Sequence, residues 1–205
     1  MKLHSVNSCV WAILSLLIVV GCNQSQSAKK TDPPVTTVNY GGFKSQVEWG
    51  RHLVLIGGCN DCHTPKKMTA MGPVPDASMM LAGHPSNVPP PVVNRREMEK
   101  QGLAVTNDLT VWIGPWGISY AANLTPDETG IGNWTQAQFF KAIREGKYKG
   151  LDGTRPLLPP MSFIAEGVRV MSDDELAAVF AYLKSVKPVH NLVPQPAAPE
   201  MAMKH

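Results

Sequence analysis

The sequence predicts an all-α domain interrupted by a long loop-rich insert. Two segments near the C-terminal side begin with capping boxes and continue with apolar residues at helical spacing. A third, before a cysteine motif, places Val47, Trp49, Leu53, Val54, Leu55 and Ile56 so that an amphipathic helix can form. Eighteen prolines and seventeen glycines among 205 residues predict much irregular backbone and argue against large regular sheets.

The bulk numbers bound the class. A hydrophobic fraction of 43% and a charged fraction of 17% suit one globular domain with extensions. A formal charge of +3, spread along the chain, implies no nucleic-acid partner.

The N-terminus predicts export. Lys2 precedes an apolar run from Val10 to Val20, too short to span a bilayer but suited to the core of a secretory signal. Ile18-Val19-Val20-Gly21-Cys22 resembles a bacterial lipobox, with Val19 where Leu is commoner. That resemblance implies a signal over 1–21 and a lipidated Cys22 as first mature residue. Acyl chains would then hold the protein on the outer face of a membrane or in the periplasm, without a spanning helix. Cleavage nearby without lipid, or an uncleaved anchor, are the alternatives. Residues 22–42 are polar and Gly/Pro-punctuated, and read as a flexible tether.

The main domain is expected over 43–188. Its first helix, within Lys44–Ile56, stops at Gly57-Gly58. From Pro65 to Pro91 nine of 27 residues are Gly or Pro, which argues against a regular element there. Asn94–Gly102 reads as a short solvent-facing helix or turn, and Leu109–Ile113 as a short strand-like piece. Thr135, with Gln138 three residues on, caps a helix bearing Phe139, Phe140 and Ile143, and Trp134 with Phe139 makes a hydrophobic staple. Ser172 and Glu175 cap the last helix, with Leu176, Val179, Phe180 and Leu183 as its buried stripe; Pro188 stops it. Residues 189–205 form a Pro/Ala-rich tail, expected to be disordered.

The chemistry rests on Cys59-Asn60-Asp61-Cys62-His63. Two thiols three positions apart with a histidine after the second are the spacing of a c-type haem attachment. Each sulfur can form a thioether to a vinyl carbon, and His63 then meets the iron. A zinc site wants a second Cys/His pair, which is missing; a thioredoxin-like couple wants a βαβ surround, which the Gly- and Pro-rich flanks do not suggest. With Cys9 in the leader and Cys22 taken by lipid, Cys59 and Cys62 remain for one covalent haem c.

The second axial position decides what such a site does. Met161, after Pro159-Pro160, is the preferred ligand because two prolines can fix a thioether's depth without a helix behind it. Met171 competes but is explained by packing before the last capping box. His84, His52 and His190 are bis-histidine alternatives, and an open position is the other. Met68, Met71, Met79 and Met80 read as apolar filler.

The motif with Gly57-Gly58 before it and Thr64-Pro65 after it, the stretch Asn123–Thr135, Pro159-Pro160-Met161, and Met171–Leu176 with Ala181-Tyr182-Leu183 together resemble bacterial class I cytochromes c. They are most similar to the modules of membrane-bound dehydrogenase cytochrome subunits. The resemblance covers about residues 44–188. It implies the class I cytochrome c fold, helices wrapped around one haem, and His63/Met161 ligation. It further implies haem attachment after export, an exposed haem edge, and no catalytic group of its own. The expected function is single-electron relay between redox partners: a dehydrogenase, another cytochrome or a terminal oxidase. The alternative is a haem enzyme or a gas or redox sensor with an open sixth position. The insert between His63 and Tyr120 departs from the smallest members, and Asn133 and Trp134 are candidates for the haem rim.

Overall fold

The computed structural model describes residues 39–200. The leader, Cys22, most of the tether and residues 201–205 lie outside them.

Helix α1 (Gln46–Ile56) starts where Ser45 accepts the Glu48 backbone N–H at 3.2 Å. It ends where the Gly57 N–H reaches the Leu53 carbonyl at 2.8 Å. Gly58, at φ +67°, then turns the chain into the single-turn helix α2 (Cys59–His63). The short helix α3 (Arg95–Gln101) is capped by Asn94, whose side chain accepts the Glu97 N–H. Helices α4 (Gln136–Arg144) and α6 (Asp173–Ser185) carry the capping boxes on Thr135/Gln138 and Ser172/Glu175. Between them, α5 (Met161–Arg169) begins directly after the Pro159–Pro160 pair, joined by a cis peptide.

The main core forms where α1 crosses α6. Leu53 and Val54 meet Leu176, Val179 and Leu183, while Phe139 and Ile143 close the cluster from α4. Burying each such side chain stabilises by about 1.5–3 kcal/mol before conformational entropy is counted. The crossing is tight at Gly50, where a Cβ would lie 1.8 Å from the Ala178 carbonyl oxygen and 2.9 Å from the Tyr182 Cβ. Hydrogen alone fits there.

The all-α expectation is overturned by two antiparallel hairpins. Strands β1 (Lys66–Thr69) and β2 (Gly72–Pro75) pair within the stretch expected to lack regular structure. Strands β3 (Val111–Gly114) and β4 (Gly117–Tyr120) form the second pair. Turn chemistry, which has no period, makes both. The Thr69 hydroxyl donates to the Gly72 carbonyl and accepts the Met71 N–H, and Gly72 and Gly117 take φ of +105° and +96°. Pro73 and Pro75 are tolerated because a two-stranded ribbon is all edge. Val111, Ile113 and Ile118 bury a second, smaller core.

The tail also departs from expectation. The segment from Pro188 to Glu200 runs along the domain, with Asn191 buried and Ala197 bridging Ile118 through both backbone groups. A Pro/Ala-rich composition says only that a segment has no core of its own. Here the segment borrows partners. Among the described residues no helix is long and apolar enough to cross a membrane.

Candidate functional site

Helix α2 presents Cys59, Cys62 and His63 on one side of a single turn, since residues three and four apart share a helix face. Both cysteines are free thiols and half-buried. Burial pushes the Cys59 thiol up to about 11, and burial likewise raises Cys62. A nucleophilic redox couple uses a depressed thiol pKa, and burial shifts both of these thiols the other way.

His63 is gripped by backbone on two sides. Its Nδ1–H donates to the Ala122 carbonyl at 2.7 Å, and its own carbonyl accepts the Gly83 N–H at 2.8 Å. Nε2 makes no hydrogen bond among the described residues, and with the proton on Nδ1 it carries the lone pair. Burial lowers the imidazole's pKa and keeps it in the neutral form that binds metal. Metal-ligating histidines almost always donate their second nitrogen to a carbonyl or carboxylate in this way. A fixed imidazole one residue from a neutral thiol, with a second thiol one turn back, is a donor set that fits haem. Cys59 and Cys62 would hold the porphyrin and His63 the iron.

The carbonyl that orients His63 is set by the insert. Gly83, at φ +76°, packs so closely on Ala121-Ala122 that a Cβ would stand 2.6 Å from the Ala122 oxygen. The Leu81 N–H donates to the Thr64 hydroxyl at 3.0 Å, and Leu124 returns a bond to Leu81. Segments 81–84 and 121–124 thus flank the residue after the motif.

Met161 opens α5 half-buried, in the cluster that also contains Cys59, Leu124 and Met171. Its loop is pinned to β4, because the Ser119 hydroxyl donates to the Pro159 carbonyl at 2.5 Å. The alternatives fare differently. His84 is fully buried with both ring nitrogens engaged, Nδ1 with the Thr110 hydroxyl and Nε2 with the Val88 carbonyl, each at 2.8 Å. It has no free donor for a metal. His190 is exposed beside Asp127, and His52 stacks on Phe43 at the surface of α1. Met68 and Met71 are almost fully exposed. Met171 shares the apolar cluster, and a Cβ on Gly57 would sit 3.9 Å from both its methyl and the Cys59 sulfur. Asn133 and Trp134 line a surface cleft with Glu128, Lys149 and Leu192.

Three contributors escape sequence reading. Ala122 acts through its carbonyl, Gly83 through its missing side chain, and Asn123 through hydrogen bonds to chain 66 residues away, where its amide reaches the Val189 carbonyl. Only the Asn and the Gly carried any signal, and neither was distinguishable from a turn residue.

The chain has relatives among dehydrogenase subunits. The chain is 31% identical over 163 residues to a subunit of the nicotinate dehydrogenase of Pseudomonas putida, covering 78% of this chain and 10% of that protein. It is 26% identical over 190 residues to the fructose dehydrogenase cytochrome subunit of Gluconobacter japonicus, covering 92% of this chain and 30% of that one. A shorter match, 40% over 77 residues, links it to the cytochrome c subunit of a quinone alcohol dehydrogenase from Gluconobacter oxydans, covering 37% and 15%. No family model matches the chain. Taken with the CxxCH turn, these relatives support a cytochrome c module. The kin in question include cytochrome subunits of dehydrogenases, and this chain spans 10–30% of the length of these three.

Proposed function

We propose that this protein is an electron-transfer module carrying one covalent haem c. Cys59 and Cys62 form the thioethers, and His63 and Met161 are the axial ligands. Bound there, the haem supplies a one-electron couple whose potential follows from its ligands and surroundings. The chain's own residues do the rest. His63 offers Nε2 because Nδ1 is committed to Ala122, and the apolar cluster around Cys59 and Met161 keeps water from the ligands' sulfur side. Once bound in thioethers, Cys59 and Cys62 have no thiol left for nucleophilic chemistry. The orientation of His63 is the observation that carries the reading.

The partners on this reading are a dehydrogenase as donor and a cytochrome or terminal oxidase as acceptor. Kinship with dehydrogenase cytochrome subunits supports the first. Export and lipidation of Cys22 would put the module on the outer face of a bacterial membrane or in the periplasm, where a tether raises its effective concentration near membrane partners. The Cys22→Ser variant is expected in the soluble fraction; retention on membranes would count against the anchor.

The decisive experiment is the optical spectrum of the purified protein, ferric and ferrous, with and without carbon monoxide. A sulfur-to-iron band in the ferric form, lost in Met161→Ala, supports the relay. Prompt carbon monoxide binding by the native ferrous protein refutes it in favour of an open sixth position.

A further inference from the structure

The segment after the last helix is tied to the site through one side chain. Asn191 is 3% exposed and bonds in every direction available to it. Its Nδ2 donates to the Ala82 carbonyl at 2.7 Å and the His84 carbonyl at 2.9 Å. Its Oδ1 accepts the Ser86 N–H at 2.9 Å, and its own N–H donates to the Thr129 hydroxyl at 3.0 Å. Asn123, next to Ala122, reaches back to the same segment, its amide donating to the carbonyls of Val189 at 2.9 Å and Asn191 at 3.4 Å. Val189 answers by donating its N–H to the Thr125 hydroxyl at 3.1 Å.

These bonds fall on the two segments that grip His63. Ala82 and His84 flank Gly83, whose N–H holds the His63 carbonyl and whose Cα presses on Ala122. Asn123 follows Ala122, whose carbonyl holds Nδ1–H. The His84 N–H donates to the Ala121 carbonyl at 3.0 Å, joining the two segments beside the imidazole. Nothing else from outside these segments reaches the Ala82 and His84 carbonyls among the described hydrogen bonds. A carboxamide is suited to this place: two donors for two adjacent carbonyls, and one acceptor for an N–H.

The geometry points to Asn191 as a positioning residue for His63. By clamping segments 82–86 and, through Asn123, 121–124, it fixes the Nδ1–H···O bond and thereby the donor strength of the imidazole. This inference rests on the haem reading above. A firm Nδ1 hydrogen bond raises the basicity of the ligand and favours the ferric state. Loosening the clamp weakens that bond and makes reduction easier, so the midpoint potential rises. The strap is a determinant of redox behaviour although it does not touch the ligand.

The test uses the full-length, haem-loaded protein. The wild type is first checked for covalent haem ligated by His63, from its haemochrome spectrum and the nitrogen-15 signal of the labelled ligand imidazole. Absence of either fails the haem reading itself, and with it this inference. Asn191→Ala is then titrated against Arg95→Ala. Arg95 secures the far end of the same strap, bonding the Ala198 carbonyl at 2.7 Å and pairing with Glu200, but has no bond to 82–86 or 121–124. We expect Asn191→Ala to shift the ferrous-to-ferric ratio at fixed ambient potential roughly three- to tenfold toward ferrous. Its His63 Nδ1–H resonance should move and exchange faster. Arg95→Ala should change neither, even though it too lowers melting temperature. Equal potentials for Asn191→Ala and wild type, with only stability reduced, would overturn the proposal and leave Asn191 a structural clasp. If the alanine variant does not load haem, Asn191→Ser is read by the same two measurements, with the same outcomes deciding.

Discussion

Replacing Gly83 by alanine tests the grip on His63 most directly. Two penalties add. A non-glycine residue held in the left-handed region, here at φ +76°, loses roughly 1–2 kcal/mol. The new Cβ would also stand 2.4 Å from the Ala121 oxygen and 2.6 Å from the Ala122 carbonyl carbon and oxygen. To reach ordinary contact the Ala122 carbonyl must retreat by about 0.8 Å. Overpacking of that kind against backbone, with no flexible side chain to give way, typically adds about 1–3 kcal/mol. The expected loss is therefore about 2–5 kcal/mol. The displacement is comparable to the margin between the 2.7 Å bond from His63 and the limit of useful hydrogen bonding. Denaturant titration of haem-loaded wild type and variant, followed by a redox titration of each, measures both effects. A destabilisation below about 0.5 kcal/mol with an unchanged potential would refute the packing argument, because no rearrangement could then be occurring at Ala122.

Two further outcomes are expected. Gly50→Ala drives a methyl into the Ala178 carbonyl at the α1–α6 crossing, and thermal unfolding should register a loss of about 3 kcal/mol or more; a change under about 1 kcal/mol would mean that the helices can part freely. Asp76 gives a pH signature. Hydrogen bonds from Ser78 first, and then from Lys67, hold its carboxyl below the usual value of 3.8. Its stabilising contribution is complete above 3.8 and fades as pH falls toward the lower folded value. Asp76→Asn should remove that part of the acid dependence of the melting temperature; an identical acid limb in both proteins would contradict the assignment.

Features with a period or a fixed local spacing were legible in the sequence. The Thr135/Gln138 and Ser172/Glu175 capping boxes form as read; of the expected stripe Leu176, Val179 and Leu183 are buried, while Phe180 is half-buried against Phe139. Helices α1 and α3 lie within their expected ranges. What failed was structure set by turns and distant partners. The β1–β2 hairpin depends on one Thr69 hydroxyl and a left-handed Gly72, in a stretch whose Gly/Pro content argued for loop. The stretch from 189 to 200 lies along the domain because Asn191, Ala197 and Glu200 find partners roughly 80 to 110 residues away, which composition does not encode. At the site, the CxxCH spacing marked the stretch that forms the α2 turn, whereas the Ala122 carbonyl that orients His63 has no side-chain signature. His84 looked like a spare ligand in the sequence and is instead consumed by Thr110 and Val88.

The strap also sets the order in which this molecule can be completed. Asn191 meets Ala82 and His84 across more than a hundred residues, so these contacts close one of the longest loops in the domain. The α2 turn, by contrast, needs only its own five residues and Gly58. As the chain emerges N-terminus first, in synthesis or in export, the cysteines are thus presented before the clamp over segments 82–86 can exist. An attachment machinery would meet an open cradle, and the late arrival of Asn191 would act as a latch thrown after loading. Long-range closure of this kind is the slow part of folding, so on the haem reading proposed above the C-terminal strap would close only after the site is first exposed.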